Sequence, residues 1–204
     1  MFQPRSIQSS MTLRDKIMSM DYVLVLSILL LGIISMFAMY STDGGKFDYH
    51  TKSHILRFGV FFLMFLIISL FQIRLWYQTS TLLYLSFFIL LLGVKYFGLT
   101  SSGSQRWLNF YFMNLQPSEL MKIGLILFLA KYYHRISTQD VNRIKFLFLP
   151  VVALVAPVLL VVAQPDLGTS ILIALGGITV SWLAGVRVKF FAYASILFIS
   201  LTPI

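Results

Sequence analysis

The chain has 204 residues, 58% of them hydrophobic and only 11% charged, with a net charge of +9. A soluble domain carries about 25% charged residues, so a mean hydropathy of +0.86 excludes a water-dispersed globule. The absence of cysteine excludes disulfides and thiol chemistry, and basic residues scattered along the chain do not make a nucleic-acid-binding patch.

The elements follow from apolar runs. A bilayer core about 30 Å thick takes roughly 20 helical residues to cross. Residues 1–20 read as a short cytoplasmic segment and residues 21–204 as a transmembrane helical domain. Tyr22–Tyr40 has no charged residue. It is too long for a signal-peptide core of about 7–15 residues and predicts a retained first span. Ile55–Ile73 follows with one charge, Arg57, and Leu82–Leu99 with one, Lys95. Ile123–Ala130 is a shorter run between lysines. Phe146–Ala163 is apolar throughout, and Pro150 and Pro157 are expected to kink it. Leu167–Ala184 carries Gly176 and Gly177, which permit close helix packing. Phe190–Ile204 opens another span. The expected fold is all-α: a polytopic transmembrane helix bundle of six spans and a partial seventh.

Lysine and arginine bias sets the orientation. With the N-terminus inside, ten basic residues lie on the cytoplasmic side and five outside. The loops Ser41–His54, Thr100–Ser118 and Gln164–Asp166 then face outward. His50, His54 and His134 show no metal-ligand spacing and read as loop residues.

Charges within hydrocarbon are expensive and mark candidate sites. In Gln116-Pro117-Ser118-Glu119-Leu120-Met121-Lys122, Pro117 suits a helix start and Ser118 can cap it. Glu119 and Lys122 share a helix face, as a structural ion pair or as the lining of a polar cavity. Gln164-Pro165-Asp166-Leu167-Gly168-Thr169-Ser170 opens a later span in the same way. There Asp166 is a plain N-cap or part of a site. Helix N-termini attract anions, so the two starts are expected to flank a pyrophosphate-linked lipid. Lys122, Arg106 or a bound cation would offset the carboxylates. Arg106, within Gly103-Ser104-Gln105-Arg106-Trp107, is a solvated loop residue or a phosphate partner. No nucleotide loop, zinc pattern or nucleophile elbow appears.

In order and spacing these motifs, with Ala184-Gly185 after them, resemble the SEDS family, which includes RodA, FtsW and the sporulation protein SpoVE. Gln-Pro-Asp-Leu-Gly-Thr is more similar to RodA than to FtsW. The resemblance implies a ten-span fold in the bacterial inner membrane. It implies polymerisation of lipid II into glycan during rod elongation, beside a class B penicillin-binding protein. An FtsW-like division role or a lipid-precursor flippase are the alternatives. The family's proposed catalytic aspartate lies in a large outer loop after the seventh span, and no residue here matches it. These 204 residues alone are therefore expected to lack glycosyltransferase activity. Arg106, Glu119, Lys122 and Asp166 carry over as cavity or substrate-positioning residues, and a divalent cation stays open.

Overall fold

The computed structural model describes residues 12–101, 104–110 and 113–193. The chain divides into two compact units, Met1–Ile73 and Arg74–Ile204.

The first unit opens with α1 (Leu13–Met18), closed by a capping box between Thr12 and Asp15. It continues with α2 (Tyr22–Thr42) and α3 (Tyr49–Ser69). Asp21 caps α2 by accepting from the amides of Val23 and Leu24. Gly44 and Gly45 turn the chain at φ +69° and +75°, a region glycine enters without steric cost. Asp48 then caps α3, so the helix starts six residues before the apolar run. For that reason His50 and His54 are helical, not loop residues, and His134 is the last residue of a later helix. The Asp43 carboxylate accepts from the Thr51 amide at 2.8 Å and hydroxyl at 2.7 Å. These bonds hold the Asp43 carboxyl below its ordinary pKa. Deeper in the hairpin, Gly32 lets the Phe58 ring lie against the α2 backbone, and Ser35 Oγ meets His54 Nε2 at 2.8 Å.

The second unit is built from α4 (Ile73–Phe97), whose first residue closes the first unit, and α5 (Pro117–His134), α6 (Ile144–Val162) and α7 (Leu167–Leu183). Residues 188–193 are again helical. Between α4 and α5 lie β1 (Leu99–Ser101), β2 (Ser104–Phe110) and β3 (Met113–Leu115), an antiparallel sheet in that order. The fold is mostly helical, as expected, but this small sheet corrects the all-α expectation at one place, the stretch 100–118 expected as a loop. Its strands hold three, seven and three residues; the outer two are too short to show a strand period, and Ser-Gln-Arg-Trp-Leu-Asn-Phe of β2 does not alternate polar with apolar. Backbone groups near hydrocarbon need partners, and the ladder from Leu99↔Trp107 to Leu108↔Leu115 supplies them.

Helix α5 is the core of this unit. Pro117, Met121, Leu125 and Leu129 are fully buried and Tyr133 nearly so. The five are spaced by four, which lines one helix face. Gly177 of α7 sits where α5 and α6 approach: an added Cβ would meet Leu154 Cδ1 at 2.6 Å and Leu125 Cδ2 at 3.3 Å.

The two prolines of α6 explain the hydrogen bonds of two tyrosines, buried Tyr84 and half-buried Tyr132. Proline offers no N–H to the carbonyl four residues earlier. Pro157 therefore releases the Ala153 carbonyl, which accepts from Tyr84 Oη at 2.9 Å. Pro150 releases the Phe146 carbonyl, which accepts from Tyr132 Oη at 2.9 Å. In hydrocarbon an unmade bond of this kind is costly, and each proline is matched by a tyrosine from another helix.

Among the described residues, four helices, α2, α3, α4 and α6, are long and apolar enough to cross a membrane. Helix α7 is apolar but holds 17 residues, and α5 carries Glu119, Lys122 and Lys131 within its 18. Helix α4 starts nine residues before its apolar run, its polar first turns partly covered. Of the run Phe190–Ile204, residues 194–204 lie outside the described ones, as do residues 1–11 of the N-terminal segment.

Candidate functional site

Pro117 is the first residue of α5 and Gln116 its N-cap, without a side-chain cap bond. Ser118, expected from the sequence as a cap, does not cap the helix. It is the helix's second residue, and it is buried. The Gln116 side chain reaches across the chain instead, and its Nε2 donates to Asp166 Oδ2 at 3.3 Å.

Asp166 is the N-cap of α7, its Oδ1 accepting from the Thr169 amide at 3.2 Å. It is also buried. Its Oδ2 lies 3.6 Å from Arg106 Nη1, and Arg106 Nη2 donates to the Pro165 carbonyl at 2.6 Å. Arg106 Nε is buried without a partner among the described residues. Asp166 thus fastens the start of α7, the start of α5 and strand β2 together. Gln164 reaches α4, donating from Nε2 to the Leu91 carbonyl at 3.4 Å.

Glu119 and Lys122 form the i,i+3 ion pair the spacing suggests, at 2.8 Å. The pair is not buried: the Glu119 side chain is 53% exposed and that of Lys122 25%. The reason is rotational, because the buried face of α5 near its start is made by Pro117, Ser118, Met121, Gly124 and Leu125. Among the described residues no ion pair joins this couple to the Arg106–Asp166 pair. The structure therefore brings Arg106, Gln116, Pro165 and Asp166 into one cluster and leaves Glu119 and Lys122 as a local pair one turn away. Each carboxylate already faces a cation, and among the described residues no three histidine, cysteine or acidic side chains come together. This donor set does not suit a resident divalent ion.

The opposite end of α5 is basic. Lys131 Nζ donates to Thr81 Oγ1 at 3.1 Å, and Arg135 Nε to Tyr77 Oη at 2.9 Å. Asn142 Nδ2 donates to the Gly185 carbonyl at 3.1 Å. The candidate cluster and this basic end thus occupy the two ends of the second unit. Gln116 and Pro165 were the members of the cluster that the sequence marked only as helix-start residues. The doubled Gln-Pro was the available signal.

The family described as "Cell cycle protein", covering FtsW, RodA and SpoVE, matches residues 16–204. The chain is 32% identical over 193 residues to peptidoglycan glycosyltransferase MrdB of Escherichia coli K12, covering 95% of this chain and 51% of that protein. It is 29% identical over 143 residues to a probable peptidoglycan glycosyltransferase FtsW of Buchnera aphidicola subsp. Baizongia pistaciae, covering 70% of this chain and 38% of the relative. A solved chain from a study of polymerization and crosslinking by a peptidoglycan synthase complex superposes with TM-score 0.70 at 25% identity, over 89% of this chain and 55% of that one. A mutant of the rod shape determining protein RodA of Thermus thermophilus shares the fold, with TM-score 0.75 at 22% identity over 91% and 60% of the two chains. The chain spans about half the length of the curated relatives it matches.

Proposed function

This chain belongs to the FtsW, RodA and SpoVE family, and on that premise we propose that it is the front portion of a peptidoglycan glycosyltransferase that polymerises lipid II during rod elongation. The proposed setting is the bacterial inner membrane, with six spans, the start of a seventh and the N-terminus in the cytoplasm. The lysine and arginine bias supports that orientation. A class B penicillin-binding protein is the proposed partner, in keeping with the synthase complex to which one solved relative belongs.

The observation that carries the reading is the junction at Asp166. Arg106 and Gln116 converge on one buried carboxylate where α5 and α7 both begin. Two helix N-termini and the cations Arg106 and Lys122 on one end suit the pyrophosphate of a polyprenyl-linked sugar donor. In this reading Arg106 and Lys122 neutralise the diphosphate as it becomes the leaving group. Asp166 holds Arg106 in place and is a positioning residue. None of the residues named here serves as the general base that takes the proton from the attacking sugar hydroxyl.

The test uses the whole protein, reconstituted with its penicillin-binding partner in liposomes and given fluorescent lipid II. Glycan strands are expected, with Lys122→Met weakening lipid II binding about tenfold or more. Lipid flipping without strands, or unchanged binding by Lys122→Met, defeats the proposal.

A further inference from the structure

A pocket with a polar rim lies in the first unit, where α2 begins and α3 ends. It measures about 200 Å³ and is lined by Lys16, Ser19, Asp21, Ser69 and the apolar side chains of Leu24 and Phe65, among others. Both helices are 21 residues long and apolar enough to span a membrane, so their shared end lies at headgroup depth.

The hydrogen-bond inventory of this pocket is specific. Lys16 Nζ spends one donor on the Leu70 carbonyl, at 3.0 Å, which ties α1 to the end of α3 and leaves two donors of the three an ammonium carries. Ser19 Oγ donates to the Lys16 carbonyl at 3.0 Å and Ser69 Oγ to the Leu66 carbonyl at 2.7 Å. Each hydroxyl has thus used its proton and offers lone pairs. Asp21 takes both of its cap bonds on Oδ1, and Oδ2 receives none among the described residues. The pocket therefore presents one cationic donor and three acceptors, one of them charged, above an apolar wall. The two charged side chains match the helix ends they sit on, Asp21 at the N-terminus of α2 and Lys16 at the C-terminus of α3.

We propose that this pocket binds a phospholipid whose headgroup carries both a phosphate and a primary ammonium, as phosphatidylethanolamine does. The phosphate meets Lys16. The three N–H donors of the ammonium meet Asp21 Oδ2, Ser19 Oγ and Ser69 Oγ, and the acyl chains run along Leu24 and Phe65. An anionic headgroup without an amine would leave Asp21 facing negative charge. A quaternary ammonium has no N–H to give the two hydroxyls. The assignment rests on the first unit alone and is independent of the glycosyltransferase reading.

The protein is reconstituted in nanodiscs with equal parts of phosphatidylethanolamine, its mono- and dimethyl derivatives, phosphatidylcholine and phosphatidylglycerol. It is then extracted in mild detergent, and retained lipid is counted by native mass spectrometry. Retention is expected to fall stepwise with each added methyl, to about a tenth for phosphatidylcholine. Asp21→Asn keeps the helix cap, since asparagine caps as well as aspartate. It should abolish the preference for the amine, while Lys16→Gln should lower retention of every phospholipid. Equal retention across the methylation series, or a preference for phosphatidylglycerol, overturns the proposal. The wild-type series decides the matter even if a variant fails to fold.

Discussion

The two units solve the same problem, apolar helices in a bilayer, with different amounts of packing. In the first unit 6% of the apolar stretch of α2 or of α3 is buried, and in the second 22% of that of α4 or α6. The first unit is held by points: the Gly32–Phe58 contact, the Ser35–His54 bond and the Asp43–Thr51 clasp. The second has a continuous face of α5 against α6 and α7 and a hydrogen bond for each carbonyl its prolines release. Hydrophobicity by itself does not drive helices together in lipid, where association depends on close packing and polar contacts. The sparsely packed hairpin leaves most of its apolar side chains exposed, and the packed unit holds the Arg106–Asp166 cluster.

The sharpest way to break this contrast is to remove equal volume from each unit. Leu125→Ala empties a fully buried position of α5 and should cost about 2–4 kcal/mol. Leu31→Ala on α2, where the residue is 65% exposed, should change stability by less than about 0.5 kcal/mol. Thermal unfolding in detergent reads both. Similar losses at the two positions would mean that α2 is packed as closely as α5.

A finer probe is the proline–tyrosine pairing. Tyr84→Phe leaves the Ala153 carbonyl unpaired in the interior of the second unit. It should lower stability by about 1–2 kcal/mol, with little change in shape. Combining it with Pro157→Ala should restore most of the loss, because alanine returns the N–H that α6 lacks there. A double variant no more stable than Tyr84→Phe alone would separate the tyrosine from the proline.

The smallest expected effect belongs to the first unit's loop. Thr51 holds the Asp43 carboxyl below its ordinary value of 3.8. A lowered native pKa adds stability that is present above the ordinary value and lost as pH falls through the lowered one. The difference in unfolding midpoint between wild type and Asp43→Asn should therefore be visible near neutral pH and vanish in strong acid. A difference that persists there would assign it to shape and not to charge.

Much of the helical fold was legible because its causes are local. Apolar runs marked α2, α6 and α7 closely, Pro117 marked the start of α5, and Asp166 announced itself as the cap of α7. The boundaries that shifted did so for local reasons too weak to rank in advance, as with Asp48, which starts α3 early. The sheet between α4 and α5 was missed because its strands gain their hydrogen bonds only from one another. Both members of the Glu119–Lys122 pair were visible, but their exposure was not, since that depends on which face of α5 the other helices cover.

From its sequence alone this protein was bound to be a membrane-embedded helical chain with two proline-led helix starts on one side. Hydrophobic length, helix caps and charge bias act over a few residues and can be read in order. Only tertiary structure decided that Arg106 and Gln116 meet Asp166, that Tyr84 and Tyr132 serve carbonyls freed by proline, and that Gly177 admits three helices to one point. Those bonds join residues 14 to 69 positions apart, and no local preference selects a partner at that distance.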